Sequence, residues 1–342
     1  MQQPPPPIDP RYEPREIAVR YGGSPVTWRY SGLRKASEIY RHLHGHKFRL
    51  KTNPLKYGVG KRLLVPVIAG YIPLDTEHFW EPMAGGANMT LAIRQTHPDV
   101  KCWLNDSSRA IANFWICLQN CPRQLQWQIG HELHHTESRQ HASDPIDPEM
   151  IARAEAFYDR TRANLKRISI GDINAAARLY LATRWSYRNI FSSTFSPGRY
   201  RAHFVSNSSI QELESWADLL QGVRITCFDY GNVLRECHDT RILPTIYCDP
   251  PYHSARTYFE ERSFDHDRFY GTCEYISMDA RILISIDELH PLQTERMVGW
   301  KPECLGENEW ILRNYELNSF ERTQYGRDGG RYQPWRRWDI LP

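Results

Sequence analysis

Four short apolar runs in this chain each give way to an aspartate: Val100 to Leu104 before Asp106, Val223 to Phe228 before Asp229, Ile242 to Ile246 before Asp249, and Arg281 to Ile286 before Asp287. Runs of that length suit strands buried on both faces, the environment of a parallel sheet. Parallel strands deliver their C-terminal ends to one edge, and open α/β sheets bind ligands there. The sequence therefore predicts one mainly parallel sheet whose acids line a single cleft.

A fifth run, His78 to Met83, leads into Ala84-Gly85-Gly86-Ala87-Asn88 and a helical stretch, Met89 to Gln95. Val100 to Leu104 follows, ending in Asn105-Asp106. A strand, a small-residue loop, a helix and a second strand with an acid at its end is a layout for holding a nucleoside. The glycines let the backbone approach the ligand, and Asp106 can bond ribose hydroxyls. Upstream, Tyr57-Gly58-Val59-Gly60-Lys61-Arg62 leads into the helix-like run Leu63 to Ile72, where an anionic group can sit at a helix N-terminus. Its spacing is not that of a P-loop.

Tyr247-Cys248-Asp249-Pro250-Pro251-Tyr252 carries the chemistry. Asp249 and Pro250 each precede a proline, which pushes both away from helical angles, and neither proline donates a backbone hydrogen bond. What remains is a stiff corner with an acid, free carbonyls and a flat ring. That inventory suits methylation of an exocyclic amino group. If the Asp249 carboxylate and the Pro250 carbonyl accept the two N–H bonds of a nucleobase amine, the nitrogen can present its lone pair to a methyl. The Tyr252 ring can stack on a base turned out of its helix. The plain alternative is a Pro-Pro turn closing an edge strand.

With 342 residues and 41% hydrophobic content, the chain can bury a sizeable core. Its net charge of +3 permits nucleic-acid binding without requiring it. The first fifteen residues are proline-rich and read as disordered or extended. From Arg15 to Arg62 basic residues interleaved with aromatics outnumber acids, as in a segment that tracks phosphates or in a solvated basic face. A second basic and aromatic stretch closes the chain, from Arg327 to Trp338. No charged region leads into an apolar core at the start, and no apolar run approaches about 18 residues. The eight cysteines lack CxxC spacing and read as reduced thiols of a cytoplasmic protein.

Between Ser107 and about Leu220 the pattern is mostly helical. Pro122 fits the first turn of a second helix, and further helices are expected around Glu149 to Arg167 and Asp172 to Arg184. Trp185 to Phe191 and the Ser/Gly/Arg-rich stretch beyond offer the side chains used to read base edges. The candidates for DNA contact are Arg184, Tyr187, Arg188, Asn189, Arg199 and Arg201. A competing signal is His131-Glu132-Leu133-His134-His135, which matches HExxH, with His141 at a third-ligand spacing. Ser138 stands where that motif's chain turns at glycine, and His131 and His135 project opposite Leu125, Ile129 and Leu133. They read as solvated histidines with no metal, and a zinc-dependent hydrolase is kept as an alternative.

The ordered segments Lys56 to Lys61, Glu81-Pro82-Met83-Ala84-Gly85-Gly86, Asn105-Asp106, Ile225 to Tyr230, Asp249-Pro250-Pro251-Tyr252 and Ser263 to His266 together resemble the Dam-like, D12 class DNA adenine-N6 methyltransferases with a DPPY motif. The resemblance spans about residues 53 to 290. It implies a Rossmann-like sheet, S-adenosylmethionine as cofactor, and double-stranded DNA with a flipped adenine as partner. It further implies cofactor contacts from Tyr57, Lys61, Glu81, Ala84, Gly85, Gly86, Ala87, Asn88, Asp106, Asp229, Tyr230 and Asp249. Asp249, Pro250, Pro251 and Tyr252 would then grip the base. On this reading residues 16–112 and 222–315 form the catalytic domain, and 113–221 a helical target-recognition insertion. Met83 stands where the family usually has phenylalanine, and Thr183 to Arg201 follows the recognition hairpin only loosely. A DNA-binding relative without catalysis is a further alternative.

Overall fold

The computed structural model describes residues 53–57, 64–69, 71–73, 75–137, 141, 143–187, 194–202, 205–240, 242–252, 264–287, 296–306 and 309–316. The proline-rich start, the basic segment up to residue 52 and the closing basic tail lie outside them. Seven strands form one sheet: β1 (His78–Glu81), β2 (Lys101–Asn105), β3 (Arg224–Thr226), β4 (Thr245–Cys248), β5 (Arg281–Ile286), β6 (Lys301–Gly306) and β7 (Glu309–Arg313). Their order is β3-β2-β1-β4-β5-β7-β6. The first five are parallel, and β7 runs antiparallel between β5 and β6. This is the mainly parallel sheet that the sequence predicts, with the Rossmann-like form that the resemblance implies.

Two strands differ from expectation. The run Ile242 to Ile246 begins its ladder only at Thr245, because Pro244 has no N–H to donate; its carbonyl instead accepts from Arg281 N. β6 was not expected at all, since Pro302 lies inside it. The strand occupies the sheet edge, where a missing donor is tolerated.

Alternation along the strands sorts side chains onto two faces. Phe79, Cys102, Leu104, Tyr247 and Leu283 enter one core, while Trp80, Trp103, Ile246, Cys248, Ile282 and Ile284 enter the other. The second face is covered by α9 (Tyr230–Asp239) and α10 (His266–Tyr275), which contribute Val233, Leu234, Cys237, Phe269, Tyr270 and Cys273. The first face is covered by α1 (Val65–Ala69), α2 (Asn88–Thr96) and α3 (Arg109–Asn120).

From α3 the chain continues into a helical lobe of α4 (Pro122–Thr136), α5 (Pro148–Asn164), α6 (Ile173–Trp185), α7 (Pro197–Ala202) and α8 (Asn207–Leu219). Helix α6 is its axis: Ala175 to Ala177 and Leu179 to Trp185 are all buried, as expected for a helix enclosed on every side. Asp147, Asp172 and Ser206 cap α5, α6 and α8 by accepting backbone N–H bonds. Trp115, Trp185 and Trp216 are buried in the same continuous core as Phe79 and Leu104 of the sheet. Among the described residues no helix is long and apolar enough to cross a membrane.

Candidate active site

The chain runs outward from β1 to β2 and β3, then returns to lay β4 against the other side of β1. Connectivity thus reverses between β1 and β4, where Phe79 pairs with Thr245 and Trp80 with Ile246. Open α/β sheets bind ligands at such a switch point. The loops that leave the two strands here are Pro82 to Ala87 and Asp249 to Tyr252.

The first loop is held from several sides. Gly85 has φ +46° and Ala87 φ +53°, and Ala87 N donates to Ala84 O at 2.6 Å. Gly85 N donates to Asp106 Oδ2 at 2.7 Å, and Ser108 N to Asp106 Oδ1 at 2.8 Å, so the β2 carboxylate ties its own turn to the glycine loop. Trp115 Nε1 of α3 donates to Gly85 O at 3.0 Å. A side chain at Gly85 would meet the Tyr57 ring 3.1 Å away, so loop and ring are in close contact. Asn53 donates to the carbonyl of Gly86 and, at 3.1 Å, to Asn88 Oδ1. Tyr57, Ala84, Gly85, Gly86, Ala87, Asn88 and Asp106 therefore stand together, whereas Lys61 lies outside the described residues. Asn53 and Trp115 were not anticipated; neither belongs to a motif, and only the fold brings them here.

Glu81 closes β1 and is 3% exposed. Its Oε2 accepts from Thr90 N at 2.8 Å. Burial pushes its carboxyl up to about 7; hydrogen bonding from Thr90 and Met89 draws it partly back, and the charge of Asp249 raises it further. Glu81 thus lies within electrostatic reach of the corner. Asp249 and Tyr252 are half-buried and Pro250 is buried. The Tyr252 hydroxyl donates to the Glu309 carboxylate, 2.9 Å from Oε1 and 3.0 Å from Oε2.

At the end of β3, Asp229 caps α9 by accepting from Gly231 N at 2.8 Å. It also pairs with both terminal nitrogens of Arg268, at 2.5 and 3.1 Å. The Arg268 guanidinium lies 5.0 Å from the centre of the Tyr230 ring. Burial pushes the Tyr230 phenol up to about 12, so it stays neutral. A Cβ on Gly231 would stand 2.9 Å from Asp229 Oδ1 and 3.0 Å from Arg268, so a larger residue here would displace the ends of those two side chains.

A family model described as D12 class N6 adenine-specific DNA methyltransferase matches residues 57–274. The chain belongs to that family. It is also similar to the Type II methyltransferase M1.LlaDCHI of Lactococcus lactis subsp. cremoris, with 23% identity over 228 residues, 65% of this chain and 74% of the relative. This D12 class methyltransferase is an enzyme that methylates adenine in DNA.

The methyltransferase's candidate DNA contacts divide. Tyr187 is 51% exposed, Arg201 is exposed and Arg199 is half-exposed, while Arg188 and Asn189 lie outside the described residues. Arg184 points inward. It is 7% exposed, lies 3.4 Å from the centre of the Tyr180 ring, and donates to Tyr180 O at 2.9 Å and Pro54 O at 2.8 Å. Contact with DNA would require it to abandon all three, so its expected role is replaced by a structural one. The missed signal was the i,i+4 spacing of Tyr180 and Arg184 on one helix face.

Of the HExxH side chains of the methyltransferase only the two histidines meet, and Glu132 points elsewhere. Glu132 is buried and pairs with Arg178 Nε at 2.9 Å. His131 and His135 are exposed on another side of α4, their Nε2 atoms 3.4 Å apart. Among the described residues no three His, Cys, Asp or Glu side chains form a cluster able to hold a metal.

Proposed function

We propose that this methyltransferase takes its methyl from S-adenosylmethionine and acts on an adenine flipped out of double-stranded DNA. The donor set at the switch point suits that cofactor. Gly85 and Gly86 present backbone with no side chain of their own, and Tyr57 packs against the loop. Asp106 already accepts two backbone N–H bonds, and a carboxylate with roughly four acceptor sites can take ribose hydroxyls as well. Asp229 and Tyr230, at the end of β3, would border the adenine of the cofactor. When bound, S-adenosylmethionine supplies an electrophilic methyl on a sulfonium centre.

The chain's own residues prepare the nucleophile. The Asp249 carboxylate and the Pro250 carbonyl accept the two N–H bonds of adenine N6, which localises the nitrogen lone pair toward the methyl. Asp249 need not be a strong base, because the amine becomes acidic as the new bond forms. Tyr252 stacks on the base and offsets part of the few kcal/mol that flipping costs. Positioning and fixed acceptors supply most of the rate. The insertion expected over residues 113–221, which takes in the helical lobe and most of α3, would read the target sequence, with Tyr187, Arg188, Asn189, Arg199 and Arg201 facing DNA. Likeness to a Type II methyltransferase favours a modification enzyme of a cytoplasmic restriction–modification pair.

One observation carries this reading: the glycine loop and the Asp249 corner leave adjacent strands at the topological switch, close enough for Glu81 to feel the charge of Asp249. Incubation with methyl-labelled S-adenosylmethionine and mixed-sequence DNA, followed by nucleoside analysis and sequencing of modified sites, tests it. Label in N6-methyladenine at one recurring sequence is expected. Asp249→Ala should abolish transfer while calorimetry still detects cofactor binding, and full activity in that variant would remove Asp249 from the mechanism.

A further inference from the structure

We propose that Glu309 is a positioning residue for methyl transfer, fixing the plane of the Tyr252 ring that receives the flipped base. The inference rests on the reading above, in which Tyr252 stacks on adenine, and adds a residue 57 positions away in the chain.

Topology brings the two together. Strand β7 is antiparallel to β5, with Ile286 opposite Trp310, so the first residue of β7 lies at the edge where β1, β4 and β5 end. That residue is Glu309, 5% exposed. It lies beyond the stretch matched to the methyltransferase family. A carboxylate so buried is costly unless hydrogen-bonded. Its two oxygens stand 2.9 and 3.0 Å from the Tyr252 hydroxyl.

The geometry constrains the ring at both ends. At one end Tyr252 follows Pro250 and Pro251, whose φ angles are fixed. At the other, its hydroxyl is anchored to a separate strand. Those two anchors fix the long axis of the ring, leaving rotation about that axis. A phenolic O–H prefers to lie in the ring plane, so an acceptor held in place by β7 also selects the plane. A stacking surface set in advance spares the flipped base the ordering of a loose aromatic side chain.

The test uses the full chain with Glu309→Leu, Glu309→Gln, Tyr252→Phe and the Glu309→Leu/Tyr252→Phe double variant. Methylation kinetics, cofactor calorimetry and thermal melting are measured on each. If Glu309 acts through Tyr252, Glu309→Leu and Tyr252→Phe each lower kcat by roughly tenfold, with unchanged affinity for S-adenosylmethionine. The double variant is then no slower than either single one. Glu309→Gln keeps an acceptor oxygen and recovers most of the rate. Wild-type kcat in Glu309→Leu, defects that multiply in the double variant, or a glutamine variant as slow as the leucine one would each overturn the proposal. An unaltered chain that transfers no methyl would instead sink the parent reading. In that case the fluorine resonance of Tyr252 in 3-fluorotyrosine-labelled protein decides: a shift in Glu309→Leu supports the contact, and an unmoved resonance refutes it.

Discussion

Glu81 carries a proton for which the unfolded chain has little affinity near neutral pH. Desolvation in the core is the main cause, with the neighbouring Asp249 charge acting in the same direction. Below about pH 4.5 the carboxyl is protonated in both states and burial costs no ionisation. As pH rises toward about 7 the unfolded chain ionises first, so Glu81 favours folding less at each step. Its contribution falls by roughly 3 kcal/mol across that window and is lost above it. Glu81→Gln keeps an acceptor for Thr90 N–H but cannot ionise. The variant is therefore expected to gain thermal stability relative to the parent between pH 5 and 8, as read by melting at several pH values. Curves that stay parallel would remove Glu81 as the cause. Asp106 makes a complementary case, since it serves the protein as well as the ligand. Asp106→Ala should weaken cofactor binding by ~1.5–3 kcal/mol in calorimetry, because the charged acceptor is lost and Gly85 N–H is released from its partner. Unchanged affinity would refute that role. Asp106 and Asp249 were legible because each ends an apolar run. Glu309 was not, since nothing local distinguishes the first residue of an antiparallel strand from any other acid.

At the scale of elements, Arg184 shows where composition misleads. An arginine among aromatics in a turn-rich stretch reads the same whether it faces a duplex or packs inside. Here desolvation lowers its pKa, offset in part by Tyr180, and its charge is met by carbonyls and a ring face. Its bond to Pro54 O joins α6 of the helical lobe to the segment 53–57, whose Asn53 and Tyr57 hold the glycine loop. Arg184→Met keeps the stem and the contact with Tyr180 but leaves Pro54 O without its donor. Cofactor affinity should fall severalfold while the salt dependence of DNA binding stays as in the parent. A shallower salt slope with intact cofactor affinity would return Arg184 to the DNA-facing set. Strands β1, β2 and β5 were legible as apolar runs, and α3 to α6 as periodic ones. Helix α9 was not expected, although Tyr230, Val233, Leu234 and Cys237 stand at i, i+3, i+4 and i+7, the spacing of a helix with one apolar face; its ten residues make the pattern a short one.

At the scale of the molecule, the catalytic domain and the helical insertion that the sequence suggests share their packing. One continuous core takes Phe79, Leu104 and Tyr247 from the sheet, Phe114 and Trp115 from α3, and Tyr180, Trp185 and Trp216 from the lobe. Phe114 stacks on Tyr180 with ring centres 6.2 Å apart, and Arg94 of α2 donates to Leu219 O at 3.0 Å and Gln221 O at 3.1 Å at the far end of the lobe. Two bodies that share buried aromatics cannot open one after the other without exposing apolar surface worth about 25 cal/mol per Å². The chain should therefore unfold in one cooperative step, with the fluorescence of tryptophans in both parts, Trp80, Trp103 and Trp310 in the sheet and Trp115, Trp185 and Trp216 in α3 and the lobe, tracking far-UV circular dichroism at every denaturant concentration. Trp115→Phe tests the same linkage from inside: it removes the donor to Gly85 O, which costs about 1–3 kcal/mol if that carbonyl stays buried, and it should shift both signals by the same amount. If the fluorescence and dichroism transitions separated, the lobe would be an independently folding insertion, and its hold on the glycine loop would be incidental to the stability of the sheet.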